Sequence, residues 1–157
     1  VVLRLSKKEN KNVKYKILLD YLEQNKIEVI GPKDISDAVA AIRKSKLPDP
    51  KVIGNAGSFF KNVFLEKTQL EKLQETYPDM PYFEEDGVIK LPSGWLIEKA
   101  GWKGYREGKV GIHDRQALVL VNHGGATGKE LVELAYKVIA SVKETFNLEL
   151  IPEVNIV

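Results

Sequence analysis

Residues 54–62, GNAGSFFKN, set one hydroxyl, Ser58, between a glycine and two phenylalanines, with a lysine and an asparagine close behind. Glycines let a backbone approach a ligand closely, and consecutive N–H groups in such a stretch can bind an anion. Phe59 and Phe60 are expected to dry the surroundings on either face of a strand. A hydroxyl without a neighbouring base is a poor nucleophile. It can still give a proton to a strong carbanion if a cation or an amide stabilises the alkoxide left behind. The same residues also read as an ordinary turn serine ahead of a core strand.

Three further residues draw notice. Lys46 ends a helical stretch, where the helix dipole favours lysine in any case. Gln116 stands just before an apolar strand. Glu153 follows Pro152 in the apolar segment IPEVNIV, where a carboxylate needs a partner or a task unless it faces outward. Other chemistries fail on spacing. VNHGGATGKE runs strand, turn, helix, but His123 and Glu130 occupy the positions where a phosphate loop needs glycine and a hydroxyl residue. It reads as a tight turn into a capped helix. The two histidines, His113 and His123, have no partner at metal spacing, so no metal is expected, and His113 reads as part of a polar turn. Ser58 lacks the G-x-S-x-G elbow of a serine hydrolase.

The elements that must carry these residues follow from periodicity. VVLRL reads as the end of a strand belonging to something longer. Residues 14–25 read as a helix with Ile17, Leu18, Tyr21 and Leu22 on one face. A second helix follows Gly31-Pro32, with Asp34 as N-cap and Ile35, Ala38, Val39 and Ile42 on its apolar stripe. KLPDP, residues 46–50, ends it and marks the expected boundary between segments 1–46 and 47–157. Gly57 to Phe60 read as strand and residues 68–77 as a short helix. A turn at Asp86-Gly87 leads into the strand VIKL. Ser93 is expected to cap the helix GWLIEKA, which Gly101 ends, and glycines 101, 104, 108 and 111 punctuate an irregular segment. Residues 117–122 read as a strand buried on both faces. Thr127 and Glu130 form a capping box opening a long helix to about residue 146, with Leu131, Leu134, Ala135, Val138 and Val142 buried. A last strand over 148–157 is broken at Pro152. The elements mix without a regular βαβ rhythm, so the expected class is α+β, a small mixed or antiparallel sheet packed with several helices.

The 157-residue chain is 43% hydrophobic and 29% charged, enough to bury a core. Its 24 basic and 22 acidic residues leave a net charge of +2, too balanced to argue for nucleic acid or an anionic membrane surface. It has no cysteine, which excludes disulfides and thiolate chemistry and fits a cytoplasmic location. No apolar run reaches the length of a membrane span.

Four blocks appear in order: KLPDPKVIGNAGSFFKN, DGVIKLPSGWLIEKAGWKG, HDRQALVLVN and PEVNIV. Together they resemble the C-terminal part of the UDP-N-acetylenolpyruvoylglucosamine reductase family, flavoenzymes that make UDP-N-acetylmuramate for peptidoglycan. The resemblance covers about residues 30–157; residues 1–29 match loosely. It implies FAD and NADPH as cofactors of the full-length enzyme and UDP-N-acetylglucosamine enolpyruvate as substrate. It assigns the proton donor to Ser58 and electrostatic support of the carbanionic intermediate to Glu153. It further implies diphosphate contacts from Lys46 and Asn62, a phosphate contact from Tyr82 and a uridine contact from Gln116. Ammonium and amide donors suit those partners. One departure is Val63, where the family usually has proline. The flavin domains of the family lie upstream, so residues 1–46 would be the tail of that region and 47–157 the substrate-binding domain. The chain's main partner would be its own N-terminal FAD-binding domain, and the fragment would hold no cofactor and be inactive alone. The alternative is a stand-alone UDP-sugar-binding module without catalysis, which a flavin domain in the same reading frame excludes.

Overall fold

The computed structural model describes residues 2–8, 12–85 and 87–156. It divides into two compact units, residues 1–47 and 48–157. In the first, helix α1 (Lys16–Gln24) packs Leu18 and Leu22 against Ala38 of helix α2 (Pro32–Lys46), with Val13, Tyr21, Ile27, Val29, Ile35 and Ile42 around them. Of the strand expected over VVLRL, Val1 lies outside the described residues, and residues 2–5 are exposed and belong to no strand. Asp34 is not the N-cap of α2. Gly31 takes that place with Pro32 at the first helical position, and the Asp34 carboxylate accepts the N–H groups of Ile30 and Gly31, each at 2.9 Å.

The second unit is α+β, and both its sheets are antiparallel. The first runs in the order β1 (Gly54–Ser58), β7 (Val119–Asn122), β6 (Val110–Ile112), β5 (Arg106–Glu107). The second runs β2 (Val63–Leu65), β4 (Val88–Leu91), β3 (Phe83–Glu85). Helices α3 (Lys67–Thr76), α4 (Ser93–Lys99) and α5 (Gly128–Phe146) complete it. One core joins them, with Phe60, Leu91, Leu96, Ile97, Leu134 and Val138 at its centre. Burial of side chains of this size supplies the main drive to fold, about 1.5–3 kcal/mol each.

Helix α5 forms as its sequence dictates: the Glu130 carboxylate accepts the Thr127 N–H at 2.7 Å and the Thr127 hydroxyl accepts the Glu130 N–H at 3.3 Å. Three expectations are corrected. The glycine-punctuated segment contains the hairpin β5–β6, turned at Gly108 with φ +59°. Residues 148–156 make no strand; a single bridge joins Pro152 to Phe60. Ser93 does not cap α4, whose N-cap is Pro92. Asp86, half of the expected turn before β4, lies outside the described residues.

Candidate active site

The strand carrying Ser58 is irregular at the point that matters. Gly54 and Asn55 pair with Asn122 and Val121, but Ser58 pairs with Val119, so β1 spends one residue more than β7. This is a β-bulge, and Gly57 occupies it with φ +76°, a conformation glycine adopts without steric cost. The Asn55 side chain holds the bulge. Its Oδ1 accepts the Gly57 N–H at 3.0 Å, and its Nδ2 donates to the carbonyls of Ile53 at 2.9 Å and Pro48 at 3.3 Å.

Beyond the bulge, the chain is pinned on both sides. The Phe59 N–H donates to Leu118 O at 2.8 Å, and Phe59 O accepts the Glu153 N–H at 2.8 Å. The Lys61 N–H donates to Ile151 O at 2.9 Å. Glu153 is therefore fixed one residue from Ser58 by backbone pairing, although its segment is not a strand. Gln116 closes on the same place: its carbonyl accepts the N–H of Val119, the pairing partner of Ser58, at 2.9 Å. Backbone hydrogen bonds thus tie the segments bearing Ser58, Gln116 and Glu153 near one end of β7.

Asn62 follows where the chain crosses to β2. Its Oδ1 accepts the Ser93 N–H at 3.2 Å, which leaves both hydrogens of its amide nitrogen available. It borders a surface depression of about 340 Å³ shared with Phe64, Gln69, Asn147 and Ile151. Tyr82 is not brought to this group. It stands just before β3, 43% exposed, over a groove of about 630 Å³ between the second sheet and α3. Lys46 is exposed at the last residue of α2, in the first unit.

The expected drying of Ser58 by its phenylalanines is not what this chain displays. Phe59 and Phe60 both turn into the core, their rings edge to face at 5.1 Å, while Ser58 is exposed. The regular strand ends at Ser58, so the alternation that would keep one ring beside it stops there. Two residues that hold the site escaped sequence reading. Ser93 was legible only as a helix cap, yet its fully buried hydroxyl donates to Lys61 O at 2.5 Å. Asn55 could have been found from the N-x-G spacing, since asparagine side chains bond the backbone two residues on.

The turn at residues 122–126 is no phosphate cradle. Asn122 Oδ1 accepts the N–H groups of Gly124 at 2.8 Å and Ala126 at 3.2 Å, so two of the turn's donors are already engaged. His113 Nδ1 accepts the Arg115 N–H at 3.2 Å. Burial, then the nearby Arg106 charge, lowers the pKa of His123 below its ordinary value. Among the described residues no group of three His, Asp or Glu side chains is placed to hold a metal ion, and no helix is long and apolar enough to cross a membrane.

Residues 49–157 match the family model of the UDP-N-acetylenolpyruvoylglucosamine reductase C-terminal domain. Proteins named UDP-N-acetylenolpyruvoylglucosamine reductase align along nearly the whole chain. That of Pseudomonas aeruginosa is 48% identical over 157 residues, 99% of this chain and 46% of the relative. That of Chromobacterium violaceum is 51% identical over 154 residues, 98% of this chain and 45% of the relative. That of Flavobacterium johnsoniae is 46% identical over 159 residues, covering all of this chain and 47% of the relative. The chain spans slightly under half the length of these relatives.

Proposed function

The chain belongs to the family of UDP-N-acetylenolpyruvoylglucosamine reductase C-terminal domains, and from that premise we propose that it is the substrate-binding part of a longer flavoenzyme reducing UDP-N-acetylglucosamine enolpyruvate to UDP-N-acetylmuramate. In the intact enzyme NADPH supplies the reducing equivalents through FAD, which the N-terminal domains would hold. Residues 1–46 are the tail of the region that holds the flavin, and 47–157 the domain that holds the sugar nucleotide.

The part played by this chain is to place a proton and hold charge. Reduction of the enolpyruvyl double bond leaves a carbanion beside the carboxylate, and the Ser58 hydroxyl delivers the proton to it. A strong carbon base needs no general base behind the donor, which suits a serine whose hydroxyl is hydrogen-bonded to no histidine among the described residues. Glu153 supports the developing charge pattern from the facing segment. The free amide hydrogens of Asn62 and the ammonium of Lys46 take the diphosphate, Tyr82 a phosphate oxygen and Gln116 the uridine. Exposure of Ser58 in this chain means that the substrate and the rest of the enzyme must supply the dry surroundings that proton transfer needs. The chain alone is then inactive.

One observation carries this reading: the Glu153 N–H bonds the carbonyl of Phe59, the residue after Ser58, so that the backbones bearing a donor and a carboxylate distant in sequence are tied by one hydrogen bond. The test is Ser58→Ala in the full-length protein. Flavin reduction by NADPH is expected to proceed normally, while reoxidation by the enolpyruvyl substrate nearly stops. Reoxidation at the parent rate would refute the proton-donor assignment.

A further inference from the structure

We propose that Asn55 is a positioning residue for proton delivery, acting through the bulge at Gly57 to set the face on which Ser58 stands. The inference rests on the reading of Ser58 as proton donor and goes beyond it, since the Asn55 side chain bonds the protein backbone. In a regular strand side chains alternate, so residues 55 and 58 would point to opposite faces. Here they pair with Val121 and Val119, which are two apart and therefore share a face. The extra residue in β1 is what brings Ser58 back to the side of Asn55. Without it, Ser58 would fall opposite Leu118 and its hydroxyl would turn away, because a one-residue slip reverses every side chain.

What holds the slip in place is the asparagine. Its three hydrogen bonds, to Gly57 N–H, Ile53 O and Pro48 O, tie the bulge to the loop before β1. Gly57 makes the backbone turn possible but does not favour it over the flat strand; the acceptor offered by Asn55 does. The bulge has room around it, for a Cβ at Gly57 would meet nothing within 4 Å, so its shape depends on these bonds rather than on packing.

The test uses the full-length flavoenzyme and separates the half-reactions by rapid mixing. Asn55→Ala is expected to leave flavin reduction by NADPH unchanged and to slow reoxidation by substrate about a hundredfold, the scale of a 1 Å misplacement. Asn55→Asp keeps the acceptor for the Gly57 N–H and is expected to restore most of that rate. A parent-like reoxidation rate in Asn55→Ala, equal loss of both half-reactions, or no rescue by aspartate each overturns the proposal. If Asn55→Ala does not fold, Gly57→Ala replaces it: the added methyl has space, so only the backbone preference changes, and normal reoxidation there overturns the proposal too. Ser58→Ala, run alongside, tells the two ideas apart. Slow reoxidation in Ser58→Ala with a normal Asn55→Ala sinks the positioning role alone, whereas a normal Ser58→Ala sinks both.

Discussion

The buried hydroxyl of Ser93 donates to the carbonyl of Lys61, 32 residues earlier in the chain, while the Ser93 N–H donates to the Asn62 side chain. One residue thereby fixes the backbone of the lysine and the carboxamide of the asparagine. Ser93→Ala leaves the Lys61 carbonyl without this partner, beside a side chain that is fully buried. The expected loss is about 1–3 kcal/mol of stability, read as a lower urea midpoint with an unchanged slope. A midpoint equal to that of the parent would show that the carbonyl finds another donor.

Gly111 is a matter of space. A Cβ there would lie 2.7 Å from the Tyr105 carbonyl oxygen and 3.1 Å from His123 Nε2. The same carbonyl accepts the Ile112 N–H at 2.8 Å, so it cannot retreat without opening the β5–β6 hairpin. Gly111→Ala is expected to cost about 1–3 kcal/mol, as overpacking does. Thermal unfolding checks it; an unchanged melting temperature would mean that the hairpin shifts freely.

Acid should weaken the fold through two carboxylates. Bonds from the Thr127 backbone N–H, then from its hydroxyl, lower the pKa of Glu130 below the ordinary value. Glu107 is lowered first by its bond to Lys137 and next by that to Tyr105. A depressed folded-state value means stability that is present above the unfolded value and lost as pH falls through the folded one. Lys137 shifts upward, chiefly through Glu107, so its share is lost only in strong alkali. The stability gap between the parent and Glu130→Gln is expected to narrow from about pH 6 to about pH 3. A gap independent of pH would remove the carboxylate from the account.

Local signals were legible and distant ones were not. The capping box of α5 and its apolar stripe lie within a few turns of helix, and the sequence displays both. The hairpin β5–β6 is hidden because strands of two and three residues are too short for alternation to register. Segment 148–157 misleads for the opposite reason. Leu148 and Leu150 alternate because they pack into the core, not because they pair in a ladder. Among site residues, the block around Ser58 stood out by residue type. Its junction with Glu153 and Gln116 depends on register across more than fifty positions, which no local pattern encodes.

Lys61 sits on a fixed mount. Its N–H is committed to Ile151 and its carbonyl to Ser93, while its side chain is exposed and makes no ion pair among the described residues. All the freedom left to it lies in the rotations of its own aliphatic stem. The ammonium can therefore change position by side-chain rotation while the Lys61 backbone stays bonded at both its N–H and its carbonyl. In mechanical terms the segment works as a crane: the mast is bolted to two distant parts of the fold, and only the arm moves.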